Sequence, residues 1–396
     1  GQVYNDAFVT TNNIASGTGN NRGIATYNNN NVDWDYFQAG GSDTFGTAGG
    51  YIIKTTASGG ISFTGTINTS DVAKALTGGR GNGFSLVGNP FPAYISSATL
   101  LTSNTALLAS QTIWVWNQNT KVYEAKVTGD DFKVAPGQGF FVEASSAGNM
   151  NFATSIQSHE TDTFLKSAGK SDVVLNVANG KNNKFAKIYY RDLATTGFDN
   201  GYDGKTFNGV KNDFAVFTRL VSNDTGENYQ IQSLPTADIE SMIIPVGLKA
   251  VANSEIIFSA EALNLPIGVK VFLEDRASNN ITRIDNSNYK VTLDEGLDGI
   301  GRFYLHISQS VLSIDTNVLL DNISVYKADN ATLRVVGLSN GKSTIKLFNL
   351  LGKQLINNSF DSNGVKEISL PNLSSGIYLV QVETEAGKLT KKIIIE

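Results

Sequence analysis

Residues able to do chemistry are sparse in this chain, and their spacing narrows what is left. There is no cysteine, and there are two histidines, His159 and His306. Thiol nucleophiles, disulfide frameworks and cysteine-bearing zinc sites are excluded, and a multi-histidine metal centre nearly so. A serine hydrolase needs a base held beside its nucleophile. No Gly-x-Ser-x-Gly elbow is present; the nearest string, Gly83-Phe84-Ser85-Leu86-Val87-Gly88, has the wrong spacing. His306 shares a strand face with Arg302 and Tyr304 and reads as a surface or rim residue. His159 falls in a polar linker and reads as solvated.

Carboxylate chemistry survives these exclusions, because a glycosidase needs only two acids. Asp33-Trp34-Asp35-Tyr36 places an acid beside a ring able to stack on a sugar, but side chains at i and i+2 share one strand face and supply no opposing partner. Trp114 and Trp116 also share a face. Aromatic pairs of this kind fill sandwich cores more often than they bind ligands, and Trp34, Trp114 and Trp116 stand as the candidate glycan platform. In Asp199-Asn200-Gly201-Tyr202-Asp203-Gly204, oxygen ligands and glycine turns make Asp199 and Asp203 candidate calcium ligands. The EF-hand pattern fails at Gly201 and Val210, and an Asx-rich turn accounts for the same residues. Gly78-Gly79-Arg80-Gly81 lacks the lysine and helix of a phosphate loop. No catalytic residue is assigned, and no cofactor other than calcium is indicated.

The elements that must carry these residues follow from composition and periodicity. The chain has 396 residues, 41% hydrophobic and 17% charged, with 39 glycines and a net charge of −5. Low charge with abundant Gly, Asn, Thr and Ser favours short strands and turns over helices. The net negative charge, with no basic block, argues against nucleic acid as a partner. No apolar run approaches the ~18 residues of a membrane helix. Gly1 follows no initiator methionine or leader, which reads as a processed or truncated product.

Period-two alternation dominates. The first 30 residues read as loop, and Ile61, Phe63 and Gly65 as one side of a half-buried strand. Ile113–Trp116 and Val122–Val127 read as a hairpin, and Ser97–Ser110 as the single helix. Strands then recur from Val173 to Ile307 without intervening helices, with Asn179-Gly180 at a tight turn. A third set runs from Leu333 to Ile395. The expected architecture is all-β, with tandem antiparallel sandwich-like domains at 1–155, 156–318 and 319–396. Only the stretch 321–396 carries a net positive charge.

That stretch resembles the type A C-terminal sorting domain of proteins exported by the type IX secretion system of Bacteroidetes. The resemblance rests on Asn349-Leu350-Leu351-Gly352-Lys353 after Ile345–Phe348, on Leu370-Pro371-Asn372-Leu373-Ser374-Ser375-Gly376-Ile377-Tyr378-Leu379-Val380, and on Lys388–Ile395. The family's usual opening Asn-Pro pair is replaced here by Lys327-Ala328-Asp329-Asn330. The resemblance implies a small β-sandwich read by an outer-membrane shuttle barrel and a translocon pore, with edge strand and turn loops as the docking elements. It implies recognition roles for Asn349, Gly352, Lys353, Leu373, Gly376, Tyr378, Lys391, Lys392, Ile393, Ile394 and Ile395. The region around Gly88-Asn89-Pro90-Phe91-Pro92 resembles surface-protein modules, and that around Gly197–Lys205 resembles a module often found just upstream of such sorting domains; no activity attaches to either. The expected function is that of a non-enzymatic, adhesin-like cargo, secreted or displayed on the cell surface. The alternative is a carbohydrate-binding part of a larger polysaccharide-acting protein.

Overall fold

The computed structural model describes the chain apart from residues 58, 79–81, 119, 160–170, 238, 310–322, 330, 351, 363, 385–386 and 396. Glycines 79 and 81, the linker around Ser167–Lys170, the expected boundary at 318/319 and the turn residues Leu351, Asn363 and Ala386 lie outside the described residues. The protein is nearly all β. By contacts it divides into two compact units, one formed by Gly1–Ser167 with Asn200–Asn212, the other by Ala168–Asp199 with Asp213–Glu396.

In the first unit a four-stranded antiparallel sheet runs in the order Val122–Val127, Thr112–Asn117, Gly139–Glu143, Phe84–Gly88. The first two strands form the expected hairpin, with Val122 opposite Asn117 and Val127 opposite Thr112. A helix, Ser97–Ser103, is capped by the Ser96 hydroxyl, which accepts from the Thr99 amide. Leu100 and Leu101 of this helix are buried with Ile95, Ile113, Phe140 and Phe152.

Three expectations for this region fail, the first being the single helix over Ser97–Ser110, which ends at Ser103 and is joined by a second helix, Asp6–Thr11. The first 30 residues are not loop: they hold strand Val3–Asn5, helix Asp6–Thr11 and strand Asn21–Asn28. Tyr4, Phe8 and Ile24 build a small core of their own, spaced too irregularly to show a single period. Residues 61–66 form no strand, and Phe63 stays largely exposed while its ring meets Phe45 at 5.2 Å. Their alternation has no partner strand to satisfy the backbone, and a strand without a partner does not form.

The second unit begins with a continuous path of strands. Its order is Asn280–Arg283, Lys270–Asp275, Leu297–Ser308, Ile243–Ala250, Ala215–Thr218, Tyr229–Leu234, Asn183–Tyr190, Asp172–Ala178, Glu255–Leu263, Tyr289–Thr292. Asn183–Tyr190 and Tyr229–Leu234 run parallel; the other pairings along this path are antiparallel. Val173 and Leu175 share one core with Leu273 and Leu305 from distant parts of the path, so the sheet folds over on itself as a sandwich. Asn179 and Gly180 make the expected turn, with Gly180 at φ +78° and Asn179 Oδ1 accepting from the Asn182 amide at 2.9 Å.

The last part of this unit is a smaller two-sheet sandwich. One sheet orders Ser324–Asp329, Thr332–Val336, Val365–Ser369; the other orders Gln354–Ser362, Gly341–Asn349, Gly376–Thr384, Gly387–Ile395. Leu333, Val335 and Ile368 of the first meet Ile345, Leu347, Val380, Val382, Ile393 and Ile395 of the second.

Candidate functional site

The terminal sandwich separates residues that build the fold from residues that present a surface. Along Gly387–Ile395 the side chains alternate at the end: Ile393 and Ile395 are buried, whereas Lys391, Lys392 and Ile394 face solvent. Gly376–Thr384 repeats the pattern, with Tyr378, Val380 and Val382 inside and Ile377 and Leu379 exposed. Pairing sets Ile377 opposite Ile394 and Leu379 between Phe348 and Lys392. The outer face therefore carries an apolar stripe, Phe348–Leu379 beside Ile377–Ile394, bordered by Lys392. The strand Gly387–Ile395 stands at the edge of its sheet.

The other residues singled out in this region shape loops. Asn349 Oδ1 accepts from the Lys353 amide at 2.9 Å, and Gly352, at φ +79°, closes the turn by donating its amide to the Asn349 carbonyl at 3.0 Å. The turn lifts Leu350 into solvent. The Tyr378 hydroxyl donates to the Ser374 carbonyl at 2.8 Å, pinning the loop that precedes its own strand. Leu373 packs half-buried on the core, and Gly376 opens the strand. Asn349, Gly352, Leu373, Tyr378, Ile393 and Ile395 thus belong to the turns and core of the sandwich. Lys353, Lys391, Lys392 and Ile394 are directly presented.

The three tryptophans of the first unit part company. Trp114 is wholly buried; its indole N–H donates to the Lys205 carbonyl at 2.8 Å and its ring meets Phe84 edge-on at 5.0 Å. Its place on a glycan platform is corrected by that burial, because a ring enclosed in a core offers no face to a sugar. Trp116 is 44% exposed, braced edge-on by Tyr123 at 5.0 Å, with its N–H on Gln118 Oε1. Trp34 is half-buried against Tyr27 at 5.5 Å and Phe141 at 6.1 Å. Phe141 in turn touches Tyr123, so Trp34 and Trp116 flank one aromatic cluster. Burial there pushes the Tyr123 hydroxyl up to about 12. Asp35 bonds Asn28 Nδ2 at 2.9 Å across the hairpin and faces solvent.

The two candidate calcium ligands fall in different compact units. Asp199 closes a local loop, its carboxylate accepting from the amide and the hydroxyl of Thr195. Asp203 is fully buried. Among the described residues no group of three or more His, Asp or Glu side chains is arranged to hold a metal ion.

Sequence reasoning missed one charged cluster. His306 is not a rim residue: it is buried, with Nε2 2.8 Å from Glu274 Oε2. Arg276 grips the same carboxylate, Nε to Oε1 at 2.9 Å, and lies over the Tyr304 ring at 3.6 Å. Next along the strand, Asp275 accepts from Arg302 Nε and Nη2 at 2.9 and 2.8 Å and from the Tyr289 hydroxyl at 2.7 Å. Burial alone would raise both carboxyls, but these cationic and hydroxyl donors outweigh it and hold them below the usual carboxylate range. The alternation of polar and apolar residues in 302–307 was visible; the layer covering the polar face was not.

Comparison with known families gives two matches. Residues 308–396 match the secretion system C-terminal sorting domain. Residues 124–306 match a domain of unknown function, DUF8693. No curated protein matches the chain. The chain carries a type IX sorting domain and is cargo of that system, exported to the cell surface or the extracellular space. Among the described residues no helix is long and apolar enough to cross a membrane.

Proposed function

We propose that this type IX cargo is a non-enzymatic, adhesin-like surface protein whose terminal sandwich is read as a folded shape. The observation that carries the reading is the sorting-domain match over 308–396, joined to an outer sheet face that exposes Ile377, Leu379 and Ile394 beside Lys392. Exposed apolar side chains rimmed by charge are what a docking surface requires. The partners this implies are the outer-membrane shuttle barrel and then the translocon pore. Recognition would use the stripe together with Lys353 and Lys392, and no bond is made or broken. Deleting residues 321–396 is expected to leave the cargo in the periplasm. Undiminished surface display of the shortened chain would overturn the proposal.

A carbohydrate-binding role is the second reading, supported by the half-exposed Trp116 and by Trp34 across the same aromatic cluster. Calorimetry of the full chain with soluble polysaccharides tests it. Heat released by wild type and lost in Trp116→Ala supports it; no binding to any polysaccharide removes it.

A further inference from the structure

The strand Leu297–Ser308 is covered on both faces, and what covers its polar face assigns a role to the module before the sorting domain. Phe303, Leu305 and Ile307 point into the sandwich core. Arg302, Tyr304 and His306 point the other way, yet Tyr304 is 1% exposed and His306 9%. Glu274 and Arg276 of the neighbouring strand and its turn cover His306 and Tyr304, and the terminal sandwich holds that cover in turn. Arg276, fixed by Glu274 and stacked on Tyr304, donates Nη1 to the Gly337 carbonyl at 3.2 Å, and Asn340 Nδ2 reaches the Ala277 carbonyl at 3.3 Å. Beside them Phe217 and Ile300 of the module share a small buried cluster with Val336, Tyr326 and Val365 of the terminal sandwich. The guanidinium of Arg219 lies 5.3 Å from the Tyr326 ring.

The backbones come close as well. Gly301 sits at φ +119°, and a Cβ built on it would stand 2.5 Å from Val365 Cγ2 and 3.1 Å from the Gly364 carbonyl oxygen. Only a residue without a side chain permits this approach. Buried ion pairs are a poor source of net stability, because desolvation offsets their attraction. They do fix geometry, since each member must meet its partners. The grouping of Glu274, His306, Arg276 and Tyr304 holds one guanidinium at one angle, and that guanidinium bonds the first residue after the strand Thr332–Val336.

We infer that the module matched as a domain of unknown function is the seat of the sorting domain: it holds the terminal sandwich in one fixed pose through Arg276, Gly301 and the Phe217–Ile300 patch. This goes beyond the export reading and does not depend on which machinery reads the signal.

Hydrogen exchange on the full chain tests the inference, comparing wild type with Arg276→Met and Gly301→Val. The seat predicts at least about tenfold faster exchange in 332–340 and 364–369 in both variants. Exchange in 172–190 and in 376–384 and 387–395, which the module core and the outer sheet hold by themselves, should stay as in wild type. Unchanged exchange in 332–340 in both variants overturns the inference. So does an equal acceleration through 172–190 in Arg276→Met, which removes a contact without adding bulk, because it would place Arg276 in the module's own fold.

Discussion

At the scale of single residues, neighbours in the chain carry opposite duties. Ile393 is buried and Ile394 is 58% exposed. Ile393→Ala should cost about 2–5 kcal/mol of stability through the cavity it leaves, read as a lower urea midpoint. Ile394→Ser should stay within about 0.5 kcal/mol and yet reduce surface display in a secretion assay. Equal losses of stability in the two variants would contradict the alternation. The acidic pair Glu274 and Asp275 makes a second prediction. Both carboxyls are held below their ordinary values in the folded state. Their contribution is therefore complete above the unfolded carboxylate range and is lost as pH falls through the folded values. Stability of the unit that holds them should stay level down to about pH 4.5 and decline below it. Glu274→Ala, which strands a buried guanidinium, should cost about 3–5 kcal/mol at neutral pH and flatten that acid decline. The sequence showed the alternating strand that carries His306 but not the burial of its polar face, because burial depends on a layer contributed from another part of the chain.

At the scale of elements, the period-two pattern was a faithful guide through most of the second unit, where the alternating runs found partner strands. Val173–Val177, Lys270–Glu274 and Ile377–Glu383 were each legible, and each lies within an observed strand. Residues 61–66 alternate equally well and form none. Pattern reports which face could be buried; pairing decides whether a strand forms. Turn chemistry was legible for the same local reason. The string Asn349-Leu350-Leu351-Gly352-Lys353 encodes an Asn side chain that accepts the Lys353 amide and a glycine in the left-handed region. A Cβ on Gly352 meets no atom within 4 Å, so its replacement is opposed by conformation alone. Gly352→Ala should cost about 1–2 kcal/mol without altering the core, visible as a lower melting temperature with unchanged near-ultraviolet circular dichroism.

At the scale of the whole molecule, the segment Asn200–Asn212 was the part least open to sequence reading. Its neighbours on both sides belong to the second compact unit, whereas the segment packs in the first. There Phe207 meets Phe84, Tyr123 and Phe141 at 4.9, 4.6 and 4.6 Å, Lys205 accepts the Trp114 N–H, and the Gly209 carbonyl accepts the Tyr27 hydroxyl at 2.7 Å. No local period announces a contact between residues so far apart in sequence. Phe207→Ala should lower the stability of the first unit by about 3–5 kcal/mol, followed by the fluorescence of buried Trp114. An unchanged Trp114 transition would show that the segment contributes nothing there.

That placement also sets a clock. A ribosome delivers the strands around Trp114 well before it delivers Phe207, about ninety residues later in the chain. At ~5–20 residues per second the aromatic cluster stays open for roughly 5–20 s of synthesis. During that interval a nascent chain exposes rings that the finished protein hides. A holdase that shields aromatic surface then has a defined window in which to act.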